Sequence, residues 1–195
     1  MEKFELVKPS IEDEKQAVEY IEEHIKYQSP MNGVGGLDKY LTHYGDWIEK
    51  LEKDRKQEIS SEAVPAETFF LVRKSDNKIV GMVNIRLALN EKLRNSVGNI
   101  GYSIRPTERR KGYNKINLYL ALLECKKQEI KQVMLNCTKT NLGSAKTIQA
   151  LNGKLEREYY DEKHQCIQQV YWIDVGQAIK EKKDEFEKYI VDKKE

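Results

Sequence analysis

Apolar and polar residues repeat with two different periods along the chain. Residues 3–8 alternate between the two kinds and predict a first β-strand. From Ile11 onward the apolar positions recur every three or four residues, which predicts an amphipathic helix over 11–27 and a second, aromatic-faced helix from Leu37. The stretch 29–36 holds three glycines in four residues and predicts a loop between the two helices.

The period shortens to two after the polar link 58–67. The alternation predicts three strands, over 68–74, 78–89 and 97–106. Helix and strand patterns alternate along the rest of the chain. In order, they predict a buried helix over 113–129, a strand over 133–138, a short helix over 144–151 and a closing hairpin. This order of elements predicts a single α+β domain.

Length and charge limit the function further. A chain of 195 residues suits one domain, which we place at 1–175, followed by a charged helix or tail at 176–195. The 34 basic and 32 acidic residues leave a net charge of +2, which disfavours nucleic acid as a partner. No stretch approaches the roughly 18 apolar residues of a membrane span, and the start lacks an apolar signal region, so we expect a cytoplasmic protein without a membrane partner.

The cysteines and histidines do not suggest a metal. Three of each are scattered along the chain without the spacing of a ligand set. We therefore expect reduced thiols and no metal site.

Most of the candidate chemistry lies between Ile104 and Lys115. A predicted strand ends there at Pro106, and a basic turn containing Gly112 leads into the buried helix. The unpaired N–H groups of a helix N-terminus, a glycine without Cβ and several basic side chains together form a cradle for phosphate. The alternative is a solvated basic turn. The five basic residues, set against Glu108 alone, are Arg105, Arg109, Arg110, Lys111 and Lys115.

A second group of polar residues follows about 30 residues downstream. Asn141 and Ser144 lie between the strand at 133–138 and the next helix, where side chains can project into a cleft. The alternative is that both simply cap the helix by accepting hydrogen bonds from its first N–H groups.

The two segments together resemble a known family. RRKGYN, at 109–114, resembles the R/Q-x-x-G-x-G/A pyrophosphate signature of the GNAT superfamily of N-acetyltransferases, and NLGS, at 141–144, resembles the N-x-x-S/A element that follows it. The resemblance covers residues 3–174 and is closest to a group of small bacterial acetyltransferases, through segments such as IGY at 100–102, RPTERRKGY at 105–113 and YWI at 171–173.

The resemblance implies a fold, a co-substrate and a set of contacts. The fold is a central, mostly antiparallel mixed sheet flanked by helices. The co-substrate is acetyl-CoA, no metal is needed, and the acceptor is the primary amine of a small molecule or a peptide. The resemblance also allows a homodimer. The residues implied in acetyl-CoA binding are Tyr102, Ser103 and Ile104 for the pantetheine arm, Arg109, Arg110, Lys111, Gly112, Tyr113, Asn114 and Lys115 for the pyrophosphate, and Asn141 and Ser144 on the far wall.

Two positions depart from the family pattern. Asn114 replaces a small residue of the signature, and Ile148 stands where many members carry the tyrosine that protonates the leaving thiolate. The candidate catalytic residues are then Glu91 as a base and Tyr102 as an acid. Cys137 has no histidine partner nearby, which favours direct transfer in a ternary complex over an acyl-enzyme. The alternative function is a non-catalytic acyl-CoA-binding sensor or partner module.

The predicted acceptor side is aromatic. The two N-terminal helices and the loop 31–36 are expected to form one wall of that site. Their aromatic residues would suit a cationic or apolar amine, or would simply fill the core. These residues are Tyr27, Tyr40, Tyr44 and Trp47.

Overall fold

The structure is a computed structural model that describes residues 1–191. The seven strands are β1 Phe4–Val7, β2 Ala66–Arg73, β3 Lys78–Arg86, β4 Ile100–Ile104, β5 Gln132–Thr138, β6 Lys154–Asp161 and β7 Cys166–Asp174. The α-helices are α1 Glu14–Lys26, α2 Tyr44–Arg55, α3 Glu91–Arg94, α4 Tyr113–Lys127, α5 Leu142–Ala150 and α6 Val175–Phe186.

The strands form two antiparallel sheets. One has the order β1-β2-β3-β4 and the other β5-β7-β6. An isolated bridge between Gly98 and Leu135 joins the sheets just before β4 begins. The backbone N–H of Asn99 also donates to the carbonyl of Met134, at 2.7 Å. Beyond these contacts β4 and β5 are not paired, so a cleft opens between them. The α+β fold with an antiparallel arrangement is therefore confirmed, with the sheet divided at this cleft.

Helix α4 is the centre of the main core. Eight of its residues are buried, on all sides of the helix, because the sheets cover one side of it and α6 covers the other. Phe186 of α6 stacks on Tyr119 of α4 with ring centroids 5.0 Å apart. The charged segment predicted at 176–195 is thus a docked helix over most of its length. Its last four residues lie outside the described part of the chain.

A second, smaller core lies on the opposite face of the first sheet. Tyr44 and Trp47 of α2 are fully buried there against Phe70 of β2, while Tyr27 is exposed. The prediction that the second helix begins at Leu37 was wrong. A single 3-10 turn spans Leu37–Lys39, and α2 begins only at Tyr44. Leu37 and Trp47 are buried in the same cluster, which explains why their spacing matched one helix.

Candidate active site

A cavity of about 620 Å³ occupies the cleft between the two sheets, next to the first turns of α4 and α5. Its walls come from four parts of the chain: the loop after α1, strand β4, the turn before α4, and the start of α5. Its lining residues include Asn32, Tyr102, Ser103, Ile104, Arg109, Arg110, Gly112, Asn114, Lys115, Asn141, Ser144 and Lys146.

The first turn of α4 presents a row of free backbone donors. Within residues 1–191, no carbonyl or side chain accepts a hydrogen bond from the five consecutive N–H groups of residues 110–114. Arg110 and Gly112 both adopt left-handed conformations, with φ of 65° and 82°. Alternation of this kind turns successive N–H groups toward one point and makes a concave anion-binding nest. A Cβ built on Gly112 meets no atom within 4 Å, so this side of the nest opens into free space.

The basic side chains around the nest divide into two groups. Arg109 is anchored to the protein, through hydrogen bonds to the carbonyl of Ile104 (3.0 Å) and the hydroxyl of Ser29 (2.6 Å). Arg110, Lys115 and Lys146 line the cavity, and none of them forms an ion pair with an acid of the described chain. Three cations are therefore available to an anionic ligand.

Lys111 belongs to a different cluster. Its Nζ lies 2.8 Å from Glu108, a buried carboxylate that also pairs with Arg73 (2.8 Å) and Lys78 (3.1 Å). Burial by itself would raise the pKa of Glu108, but the hydrogen bonds from Lys111, Arg73 and Lys78 outweigh it and lower that pKa to about 2. Glu108 thus stays ionised and holds the turn in place. Of the twelve residues predicted to bind acetyl-CoA, Lys111 alone does not line the cavity.

The opposite wall carries two hydroxyl groups in contact. The hydroxyl of Tyr102 on β4 lies 2.8 Å from the Oγ of Ser144 in α5. Asn141 caps α5 by accepting a hydrogen bond from the backbone N–H of Ser144 at 3.1 Å, as the capping alternative predicted, and it lines the cavity as well. Burial raises the pKa of Tyr102, so this hydroxyl keeps its proton and can donate it.

Cys137 lies at the end of β5 near the same hydroxyls. It is buried, and burial raises the pKa of its thiol, an effect that Ser144 only partly offsets. The residues lining the cavity include no histidine to remove its proton. Cys137 is therefore a poor nucleophile in this setting.

Glu91 and Ile148 are placed away from the cavity. Glu91 is exposed at the start of α3, and Ile148 is fully buried in the core. Neither lines the cavity. The assignment of Glu91 as a base stays a prediction.

Asn114 occupies the third position of the sequence signature, at the edge of the nest. It is half-buried and lines the cavity, and its Oδ1 is buried without a hydrogen-bond partner in the described chain. The side chain of Asn114, which is larger than the Gly or Ala of the family signature, is thus accommodated at the start of α4.

The loop after α1 covers the other face of β4. The hydroxyl of Ser103 donates to the carbonyl of Asn32 at 2.6 Å and contacts the hydroxyl of Tyr20 at 2.9 Å. Gly33 has a φ of 72°, and a Cβ on it would lie 2.2 Å from the carbonyl oxygen of Gly101. Only glycine fits there, so the loop lies directly on the backbone of β4.

Sequence reasoning missed several of the lining residues. Asn32 lies in a glycine-rich loop that carries no recognisable signature, and its place follows only from contacts with β4. Lys146 and Thr147 could have been found, because they lie on the first two turns of α5 close to Ser144.

Neither a membrane-spanning helix nor a metal-binding cluster is present among the described residues. None of the helices within 1–191 is long and apolar enough to cross a membrane. The same residues hold no group of three or more His, Cys, Asp or Glu side chains suited to a metal ion.

Comparison with protein families gives one match. The model of the acetyltransferase (GNAT) family matches residues 37–153, which is more than half of the chain and includes both the nest and the start of α5. Curated protein sequences give no significant match.

Solved structures share the fold at low sequence identity. The microcin C7 self-immunity acetyltransferase MccE, in complex with acetyl-CoA and AMP, is 18% identical with a TM-score of 0.65, over 88% of this chain and 92% of the other. RimJ from Mycobacterium smegmatis, in complex with CoA-disulfide, is 13% identical with a TM-score of 0.66, over 90% and 87%. A chimera of the spermidine N-acetyltransferase SpeG from Vibrio cholerae and hSSAT is 12% identical with a TM-score of 0.63, over 91% and 98%.

Proposed function

Because the chain belongs to the acetyltransferase (GNAT) family, we propose that it transfers the acetyl group of acetyl-CoA to a primary amine by direct attack within a ternary complex. The observation that carries the proposal is the cavity itself, which is lined both by a nest of five free N–H groups and by a pair of hydroxyls. These two features suit two parts of one ligand, the pyrophosphate and the thioester of acetyl-CoA.

The residues of the cavity fit the co-substrate. The N–H groups of residues 110–114 and the side chains of Arg110 and Lys115 would hold the pyrophosphate, since converging N–H groups at a helix N-terminus favour anions. The unpaired edge of β4, at residues 102–104, would hold the extended pantetheine arm by strand addition. When bound, acetyl-CoA supplies an acetyl group activated as a thioester.

Two residues are placed to manage the proton of the leaving thiol. Tyr102 retains its proton because burial raises its pKa, and Ser144 lies within hydrogen-bond distance of it. The pair can therefore pass a proton from Tyr102 through Ser144 into the cavity. This arrangement would replace the family's usual tyrosine, whose place Ile148 takes.

The state of Cys137, which lies near these hydroxyls, favours direct transfer. Cys137 is buried, burial raises the pKa of its thiol, and no histidine lines the cavity to activate it. An acetylated enzyme is not expected. The acceptor amine would instead reach the thioester from the face of β4 that the loop 29–36 covers, and would gain rate through proximity.

We also propose that the protein is cytoplasmic. Its Cys125, Cys137 and Cys166 are free thiols in the structure, which suits the reducing cytoplasm. The homodimer stays a prediction.

The direct test is CoA release with a panel of primary amines that includes amino acids, peptides, polyamines and amino sugars. Steady release with at least one amine, together with the acetylated amine by mass spectrometry, is the expected result. The intact mass of the protein should show no acetylation during turnover. Tight binding of acetyl-CoA without release for any amine would favour the acyl-CoA-binding module instead. Stoichiometric acetylation of Cys137 would contradict direct transfer.

A further inference from the structure

A charged side chain on the acceptor face of β3 has no acidic partner. Arg86 ends β3 opposite Ala66 of β2, and side chains alternate along a strand, so it shares a face with Asn84. Asn84 lies opposite Gly101 of β4, the residue on which the loop 29–36 rests. Arg86 therefore projects from the face of the sheet that the acceptor is proposed to approach.

The surroundings of Arg86 leave its charge uncompensated. It is half-buried, and the one hydrogen bond that its side chain makes in the described chain goes from a guanidinium nitrogen to the carbonyl of Gly98 at 3.2 Å. No acid in residues 1–191 lies within ion-pair distance of it. Burial lowers the pKa of Arg86, because the surrounding protein disfavours its charge.

The other well-buried arginines of the chain differ from Arg86 in this respect. Arg105 pairs with Glu23 at 3.0 Å and also donates to the carbonyl of Ile79 at 2.9 Å. Arg73 pairs with Asp76 and Glu108 at 2.7 and 2.8 Å. Elsewhere, then, the fold supplies carboxylates to its buried guanidinium groups, as the cost of burying a lone charge requires.

A second polar atom without a partner belongs to a residue that contacts the same short segment as Arg86. Asn136 of β5 donates from its Nδ2 to the carbonyl of Ser96 and to the hydroxyl of Tyr159, whereas its Oδ1 is buried and has no partner in the described chain. Ser96 and Gly98 are two residues apart, so Asn136 and Arg86 hold the same short segment from its two sides. Both contacts lie just before β4, next to the bridge between Gly98 and Leu135.

We propose that the acceptor is an anionic amine, a primary amine that carries a carboxylate or a phosphate group, and that Arg86 binds the anionic group. This proposal rests on the proposed acetyl transfer. An arginine fork matches the two oxygens of either group, and Arg86 has no carboxylate of the described chain to occupy that fork. Arg86 lies two residues along β3 from Asn84, or about 7 Å, so the proposed anion site lies next to the part of β4 that the loop 29–36 contacts. An uncompensated cation on this face disfavours polyamines.

The test uses amines that differ only in the anionic group. Phenylalanine is compared with phenethylamine, and O-phosphoethanolamine with ethanolamine, by kcat/KM for CoA release. The wild type should favour the anionic member of at least one pair by about tenfold or more, the value of one charged hydrogen-bond pair, and the difference should lie in KM. The pair that responds tells a carboxylate from a phosphate.

Variants of Arg86 assign the preference to this residue. Arg86→Gln should abolish the preference, Arg86→Lys should keep part of it, and Arg94→Gln, which removes an equal charge from exposed α3, should leave it intact. Binding of acetyl-CoA should be unchanged in all three, which also shows that they fold. The inference is wrong if phenethylamine or spermidine is preferred, or if the anionic preference survives in Arg86→Gln.

A binding measurement separates this inference from the proposed function. In the presence of CoA, N-acetylphenylalanine is titrated against N-acetylphenethylamine by calorimetry, in the wild type and in Arg86→Gln. Anion-selective binding that Arg86→Gln loses supports the role of Arg86 even if no amine is turned over, and the failure then lies with catalysis. The inference is overturned if the two compounds bind equally or not at all and turnover also shows no preference for the anionic amine.

Discussion

The two faces of β4 are built in opposite ways. On the α4 side, the nest proposed for the pyrophosphate comes from five consecutive residues and consists of backbone N–H groups. On the other side, the surface proposed for the acceptor comes from Asn32, Arg86 and Asn136, which are about 50 residues apart in the chain and act through side chains or a loop. A site made of backbone N–H groups constrains few side chains and suits a ligand that is the same in every reaction, here acetyl-CoA. A surface made of side chains can be altered to bind a new acceptor without disturbing the other face.

The substitution with the largest expected effect lies in the nest and lowers the affinity for acetyl-CoA. Gly112→Asp places a Cβ and a negative charge in the open side of the nest, at a φ of 82° that non-glycine residues disfavour. Affinity for acetyl-CoA should fall by at least about 100-fold, or roughly 2.7 kcal/mol. Calorimetry measures the loss, and Gly45→Asp, which adds the same charge to exposed α2, is the matched control. Unchanged affinity in Gly112→Asp would show that the pyrophosphate binds elsewhere.

The next effect concerns the hydroxyl pair at the other end of the cavity. Tyr102→Phe removes the proton donor and keeps the ring, so kcat should fall by about 100-fold, the usual contribution of a positioned acid. Affinity for acetyl-CoA should change little. Tyr119→Phe, a buried tyrosine of α4, is the control and should keep full activity. If Tyr102→Phe turns over normally, the thiol obtains its proton from water.

The contact of the loop with β4 at Gly33 should affect mainly the acceptor. Gly33→Ala sets a Cβ 2.2 Å from the carbonyl of Gly101, whereas Gly36→Ala has a similar positive φ and no contact closer than 3.7 Å. Displacing the loop by Gly33→Ala should raise KM for the amine by about tenfold, as for a loss of roughly 1.4 kcal/mol. Gly36→Ala isolates the cost of the backbone strain. Equal effects of the two variants would mean that the contact with β4 is unimportant.

The same contrast explains what the sequence could predict. The nest was predictable because residues 109–115 are contiguous and their types have a direct backbone meaning: a proline that ends a strand, a glycine, and a helix start. The pairing of Lys111 with Glu108 was not, since it depends on Arg73 and Lys78 arriving from a distant hairpin. The aromatic face of α2 was read correctly as a face, but whether Trp47 fills the core or meets a ligand depends on the sheet that covers it.

The acceptor surface was the least predictable part. Arg86 and Asn136 look like ordinary strand residues in the sequence, and their unpartnered atoms become evident only when the register of β3, β4 and β5 is known. The contrast with Arg105, whose partners lie on α1 and β3, depends on tertiary packing as well.

The smallest effect is expected at Asn114, where the family signature is broken on the backbone-built face. A side chain that blocked the nest would have to occupy the space in front of the five N–H groups. Its Oδ1 is instead buried and unpartnered at the edge of the nest. Asn114→Gly removes this atom and leaves the N–H group, so affinity for acetyl-CoA should change by about 1 kcal/mol or less, the net value of one ordinary hydrogen bond. Calorimetry on the two proteins measures the difference. A gain of tenfold or more, roughly 1.4 kcal/mol, would mean that Asn114 obstructs the phosphate, and would contradict a nest fully open in the wild type.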